Sequence, residues 1–145
     1  VKGLAEGTLK TTITIETEVN APAEKVWNCW TAPEHIVNWC HASDDWHAPA
    51  AENDLRTGGR FKTVMAAKDG SFSFDFGGVY TEVKENTIIE YTMDDGRKVK
   101  IVFENKDGNT HISESFEAEN MNSLELQRTG WQAILDNFKK YTERM

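Results

Sequence analysis

The chain has 145 residues, with 39% hydrophobic and 28% charged side chains, an ordinary mix for one folded domain spanning 1–145. Seven Phe, five Trp and three Tyr exclude a solvated coil. The formal net charge of −8 disfavours phosphate backbones and anionic membrane surfaces, so neither nucleic acid nor membrane insertion is expected. No apolar run approaches the roughly 20 residues that cross a bilayer. The first residues, VKGLAEGTLKTT, lack the apolar centre of a signal peptide. Two cysteines, Cys29 and Cys40, make no disulfide framework, and a reducing cytoplasm is the expected compartment.

Thr11 to Val19 alternates, with Ile13, Ile15, Thr17 and Val19 on one face, and predicts a half-buried strand. Pro22 suits the first turn of a short helix whose apolar face is Val26, Trp27 and Trp30. Thr31 to Glu34 has capping-box spacing, with Pro33 in the first turn, and predicts a second short helix bearing Ile36, Val37 and Trp39. Cys40 to Gly59 is irregular and reads as a long loop, with strand character only around Asp45 to His47. Five strands follow, near Arg60–Ala67, Ser71–Val83, Thr87–Met93, Arg97–Glu104 and Thr110–Ala118. Short Asp-, Asn- and Gly-rich turns join them as antiparallel neighbours. Gly77-Gly78 interrupts the longest strand, where the apolar phase moves from Phe72, Phe74 and Phe76 to Val79, Thr81 and Val83, and predicts a bulge. Ser123 to Met145 is a long helix, capped by Asn122 with Glu125 opposite. Its apolar stripe is Leu124, Trp131, Ile134, Leu135, Phe138, Tyr141 and Met145. The predicted class is α+β. A curved antiparallel sheet of about six or seven strands wraps a long C-terminal helix, with two short helices after the first strand.

This order, together with four motifs, resembles the helix-grip, START-like (Bet v 1-like) superfamily. Within it the chain is similar to the branch of activator of Hsp90 ATPase homologue 1-like proteins. The motifs are VNAPAEKVWNCWTAPEHIVNW (19–39), DLRTGGRF (54–61), FDFGGVYTEV (74–83) and GWQAILDNFKKY (130–141). The resemblance implies a cavity for a small apolar ligand, lipid-like or polycyclic, between sheet and helix. It also implies two alternatives: a co-chaperone-like domain regulating a partner ATPase, and a cyclase-like enzyme. The co-chaperones that name the branch carry an extra N-terminal domain, for which this chain is too short. Stimulation of Hsp90 is therefore the weaker expectation.

Site chemistry is sparse. His35, Cys40, Asp44, Asp45, His41 and His47 cluster, but lack the paired spacing of a zinc site, so neither metal nor cofactor is expected. Cys40-His41, and His111 with Ser113, Ser115 and an orienting Glu117, lack the context of a nucleophile. Gly58-Gly59 and Gly77-Gly78 lack the spacing of a phosphate cradle. The aromatic and apolar candidates for a ligand cavity are Trp39, Trp46, Phe61, Met65, Phe72, Phe74, Phe76, Tyr91, Phe103, Phe116, Trp131, Leu135 and Phe138. Glu114 is the sharpest polar signal, because alternation puts it between Ile112 and Phe116 on the inner face. Arg56, Arg60 and Arg97 are its candidate counter-charges, and Arg56, Arg97 and Glu114 are the polar cavity candidates.

Overall fold

A computed structural model describes residues 11–145, so the reading of the N-terminal VKGLAEGTLK lies outside the described residues. One seven-stranded antiparallel sheet forms, in the order β1-β7-β6-β5-β4-β3-β2. The strands are β1 (Thr12–Val19), β2 (Trp46–Asn53), β3 (Arg60–Ala67), β4 (Ser73–Lys84), β5 (Ile88–Met93), β6 (Lys98–Lys106) and β7 (Asn109–Glu117). Helices α1 (Ala23–Thr31) and α2 (Pro33–Trp39) follow β1, and α3 (Leu124–Arg144) ends the chain. The architecture is the predicted helix-grip arrangement, a curled sheet around a C-terminal helix.

Period-2 alternation carries the sheet. On β7, Thr110, Ile112, Glu114 and Phe116 are buried, while the residues between them are half-buried. On β1, Ile13, Ile15 and Val19 face the same interior. The β6–β7 turn places both Asp107 (φ 53°) and Gly108 (φ 87°) in the left-handed region, as a tight two-residue hairpin requires. The helix α3 lies against β1. Side chains of Arg128, Gln132 and Lys139 donate to the carbonyls of Thr14 (2.8 Å), Glu16 (3.2 Å) and Glu18 (2.6 Å), which face outward from that edge strand.

Four local expectations need correction. First, the segment read as a loop contains the eight-residue strand β2. Its Ala48, Ala50 and Ala51 give almost no hydrophobic contrast, and Pro49 speaks against a strand. At a sheet edge, however, a proline costs no ladder bond, and the chain bulges between His47 and Ala50 to fit it.

Second, the bulge in β4 is at Thr81, between Tyr80 and Glu82, whereas Gly77 and Gly78 stay in register. Tyr80, rather than Val79 or Thr81, is the buried residue there. The glycines serve close approach: a Cβ on Gly78 would lie 2.3 Å from the Thr92 carbonyl oxygen, and one on Gly77 2.7 Å from that of Phe61.

Third, two caps move. Thr31 does not open α2, because its hydroxyl donates to the Trp27 carbonyl (2.8 Å) and closes α1. Ser123 caps α3, accepting from the Leu126 amide at 3.0 Å, while Asn122 donates its side chain to Glu119 at 2.6 Å. Pro22 stands at the cap of α1, one residue before the helix. Fourth, Leu124 and Met145 drop out of the α3 stripe and are exposed, because they lie at the two helix ends.

Candidate functional site

Aromatic residues dominate the interior, but its two ends are filled differently. Beneath α1 and α2 the rings interlock. Phe138 meets Trp30 at 4.8 Å and Trp39 at 4.9 Å, and Phe103 meets Trp27 at 5.4 Å and Trp30 at 5.6 Å. Under β3, β4 and β5 the helix α3 stands off, and a cavity of about 290 Å³ is left between sheet and helix. Phe61, Met65, Phe76 and Tyr91 form its floor, Trp39 its end wall, and Trp131 with Leu135 its roof. Phe74 also lines it and is 45% exposed, so the cavity reaches the surface there.

Glu114 and Arg97 line the same cavity. Glu114 is 6% exposed and flanked in register by Ile15 of β1 and Ile101 of β6. Among the described residues no hydrogen-bond or ion-pair partner reaches its carboxyl, and burial pushes its pKa up to about 8. Arg97 does not neutralise it. That guanidinium is held by Asp95 at 2.9 Å and by the Glu117 carbonyl at 3.3 Å.

Burial, and then the Glu114 charge, push the Cys40 thiol up to about 12. The same two causes, in that order, hold the Tyr91 hydroxyl well above its ordinary range. The Cys40 thiol donates to the Met65 sulfur at 3.7 Å. Tyr80 lines the cavity with its ring, while its hydroxyl is taken by Asn53 and is pushed up mainly by burial.

Several sequence candidates lie away from the cavity. Phe103, Phe116 and Phe138 belong to the solid core, and Phe116 stacks on the Trp131 ring at 3.9 Å. Trp46 and Phe72 form an outer aromatic group with Phe74, near 6.0 Å apart, and Phe72 is 59% exposed. Arg56 is paired with Asp54 at 3.0 Å and is 70% exposed, so it is a surface residue. Arg60 is likewise outside, on Asp94 at 2.8 Å.

Trp30, Thr63, Tyr80 and Ile134 line the cavity without having been singled out as cavity residues. Thr63 shares the parity of Phe61 and Met65, a signal the β3 alternation already carried.

The other polar groups do not assemble. His111 bonds Glu16 at 2.8 Å, Ser115 bonds Thr14 at 2.9 Å, and Glu117 accepts from the Lys98 amide at 2.8 Å, so Glu117 does not orient His111. Among the described residues no group of three or more His, Cys, Asp or Glu side chains is placed to hold a metal ion. Among the described residues no helix is long and apolar enough to cross a membrane.

Comparison with known proteins agrees with this geometry. The family model described as Activator of Hsp90 ATPase homolog 1-like protein matches residues 20–143. An AHSA1-like protein from Aeromonas hydrophila is 45% identical, with a TM-score of 0.87 over 92% of this chain and 93% of that one. A protein from Cytophaga hutchinsonii is 60% identical, with a TM-score of 0.80 over 92% of each chain. A Chromobacterium violaceum protein, 24% identical with a TM-score of 0.83, over 92% of this chain and 98% of that one, shares the fold. No curated protein matches the sequence.

Proposed function

We propose that this chain, which belongs to the Activator of Hsp90 ATPase homolog 1-like family, binds a small apolar ligand, lipid-like or polycyclic, between its sheet and its C-terminal helix. The observation that carries the reading is the aromatic-walled cavity of about 290 Å³. An apolar cavity of about 150 Å³ already takes benzene and stays dry without it. The volume here suits a molecule of two fused rings or a comparable acyl chain. Such a cavity is a ready site because its walls are preformed by strands, so little ordering entropy opposes binding.

Trp30, Trp39 and Trp131 face the cavity and report on occupancy. Titration with planar aromatic or acyl-chain compounds shifts or quenches their emission, with micromolar affinity, about −8 kcal/mol. Amide shifts confined to the outer surface across a broad compound panel would overturn the reading. The family name raises a second role, regulation of a partner ATPase. An assay with the cognate chaperone tests it, and a several-fold stimulation would put that role first.

A further inference from the structure

We propose that the ligand of this cavity is neutral and planar and carries a carbonyl-type acceptor oxygen, received by the Glu114 carboxylic acid and the Tyr91 hydroxyl. The inference rests on the ligand-binding reading above and gives it a chemical class.

Most of the cavity wall is apolar, so any unpaired polar group on it is conspicuous. Tyr80 is satisfied by Asn53, Cys40 by Met65, and Arg97 by Asp95 and the Glu117 carbonyl. Glu114, Tyr91 and Thr63 remain, each more than nine-tenths buried, lining the cavity and without a side-chain partner among the described residues; of the three, Glu114 and Tyr91 are the pair that act on one another.

Their placement is complementary. Tyr91 lies opposite Val99, and Glu114 opposite Ile101, so the two are one inner-face step apart with β6 between them. The sheet curls toward α3, so side chains from β5 and β7 lean toward one centre. The charge of Glu114 acts on the Tyr91 hydroxyl, which shows that the two groups share one environment.

The titratable and charged groups facing Glu114 are Cys40 beyond α2, Tyr91 on β5 with Tyr80 behind it on β4, and Arg97 in the turn just before β6. Helix α3 presents Trp131, Ile134 and Leu135, none of which titrates. Near neutral pH burial keeps the proton on both Glu114 and Tyr91, so both are donors. Two convergent donors in an apolar site call for an acceptor. A neutral oxygen satisfies both without bringing an uncompensated charge into the cavity. A tyrosine beside a protonated carboxylic acid is a known pairing for holding such an oxygen.

Three probes of one shape separate the alternatives: acetylnaphthalene, ethylnaphthalene and naphthylethylamine, each followed by calorimetric titration of the intact chain. At about pH 6 the ketone binds about tenfold more tightly than the hydrocarbon, the worth of one or two neutral hydrogen bonds. At about pH 9.5, with Glu114 ionised, that preference collapses toward equality. Glu114→Gln keeps an amide donor and holds the preference at both pH values. Glu114→Leu removes it at both, yet still binds the hydrocarbon, which shows that the variant is folded.

Equal binding of ketone and hydrocarbon by the parent chain overturns the proposal and leaves the cavity reading intact. Tightest binding of the amine, growing as pH rises, overturns it in favour of an organic cation. If neither neutral probe enters, the cavity reading fails, and the proposal with it.

Discussion

The two ends of the interior use the same residue types to opposite effect. Under α1 and α2, Trp27, Trp30, Phe103 and Phe138 meet edge to face and leave no room. Under β3 to β5, Phe61, Phe76, Tyr80 and Tyr91 also touch one another, yet a cavity remains above them. The difference is the opposing layer. At the solid end two extra helices close the space between sheet and α3, and at the hollow end no third layer is inserted. Aromatic content therefore marks the interior, while the presence of a filling layer decides between core and pocket.

The strongest test of this contrast is deletion of a ring at each end. Phe138→Ala removes a fully buried ring packed on two tryptophans and costs about 5 kcal/mol, read by urea unfolding. Phe76→Ala costs about 2 kcal/mol, because part of that ring already faces the cavity and its removal exposes little new surface. Equal costs would mean that both ends are packed alike.

The next test uses Glu114. Its folded pKa of about 8 lies above the ordinary 4.5, so between those values the folded chain binds the extra proton. Stability is therefore highest below about pH 4.5 as far as this group is concerned, falls as pH rises to about 8, and is level above it. The loss is on the order of 5 kcal/mol. Glu114→Gln removes that slope from a pH series of unfolding curves and makes the chain more stable than the parent at alkaline pH. An unchanged slope would place the carboxyl in water.

A smaller effect comes from filling the hollow end. Thr63→Ile adds apolar volume on the cavity wall, raises stability by about 1 kcal/mol, and weakens any ligand that needs the space. A destabilised variant would show that the wall is already tightly packed. The smallest expected effect is none: exhaustive chelation leaves the melting temperature unchanged, because the contrast between the ends rests on packing alone. A drop of several degrees would mean that the His35–His47 segment holds an ion.

Periodicity made much of the fold readable. The β1 and β7 alternations, the α3 stripe and the inward position of Glu114 all follow from which residues share a face. It was silent where side chains carry no contrast, as in the alanines of β2, and where an extra residue shifts the phase, as at Thr81. The caps turned on which of two adjacent polar residues was already engaged, as Asn122 is with Glu119. The division of inward aromatics into cavity and core was not legible. Phe103 and Phe61 obey the same alternation, and what separates them is the distance to the opposite layer. That distance is a property of the curled sheet as a whole, so no local window of sequence contains it.

An open sheet has two edges, and each is a template on which another chain can add a strand and start an aggregate. This molecule guards them by different means. Along β1 the outward carbonyls of Thr14, Glu16 and Glu18 are occupied by Arg128, Gln132 and Lys139, so the helix that roofs the cavity also blocks that template. Along β2 the guard is covalent: Pro49 offers no amide, and the bulge beside it breaks the even spacing that a second strand would need. The first guard lasts only while α3 is docked, and the second persists whenever β2 is formed. Partial unfolding that releases α3 therefore opens the β1 edge to self-association before the β2 edge.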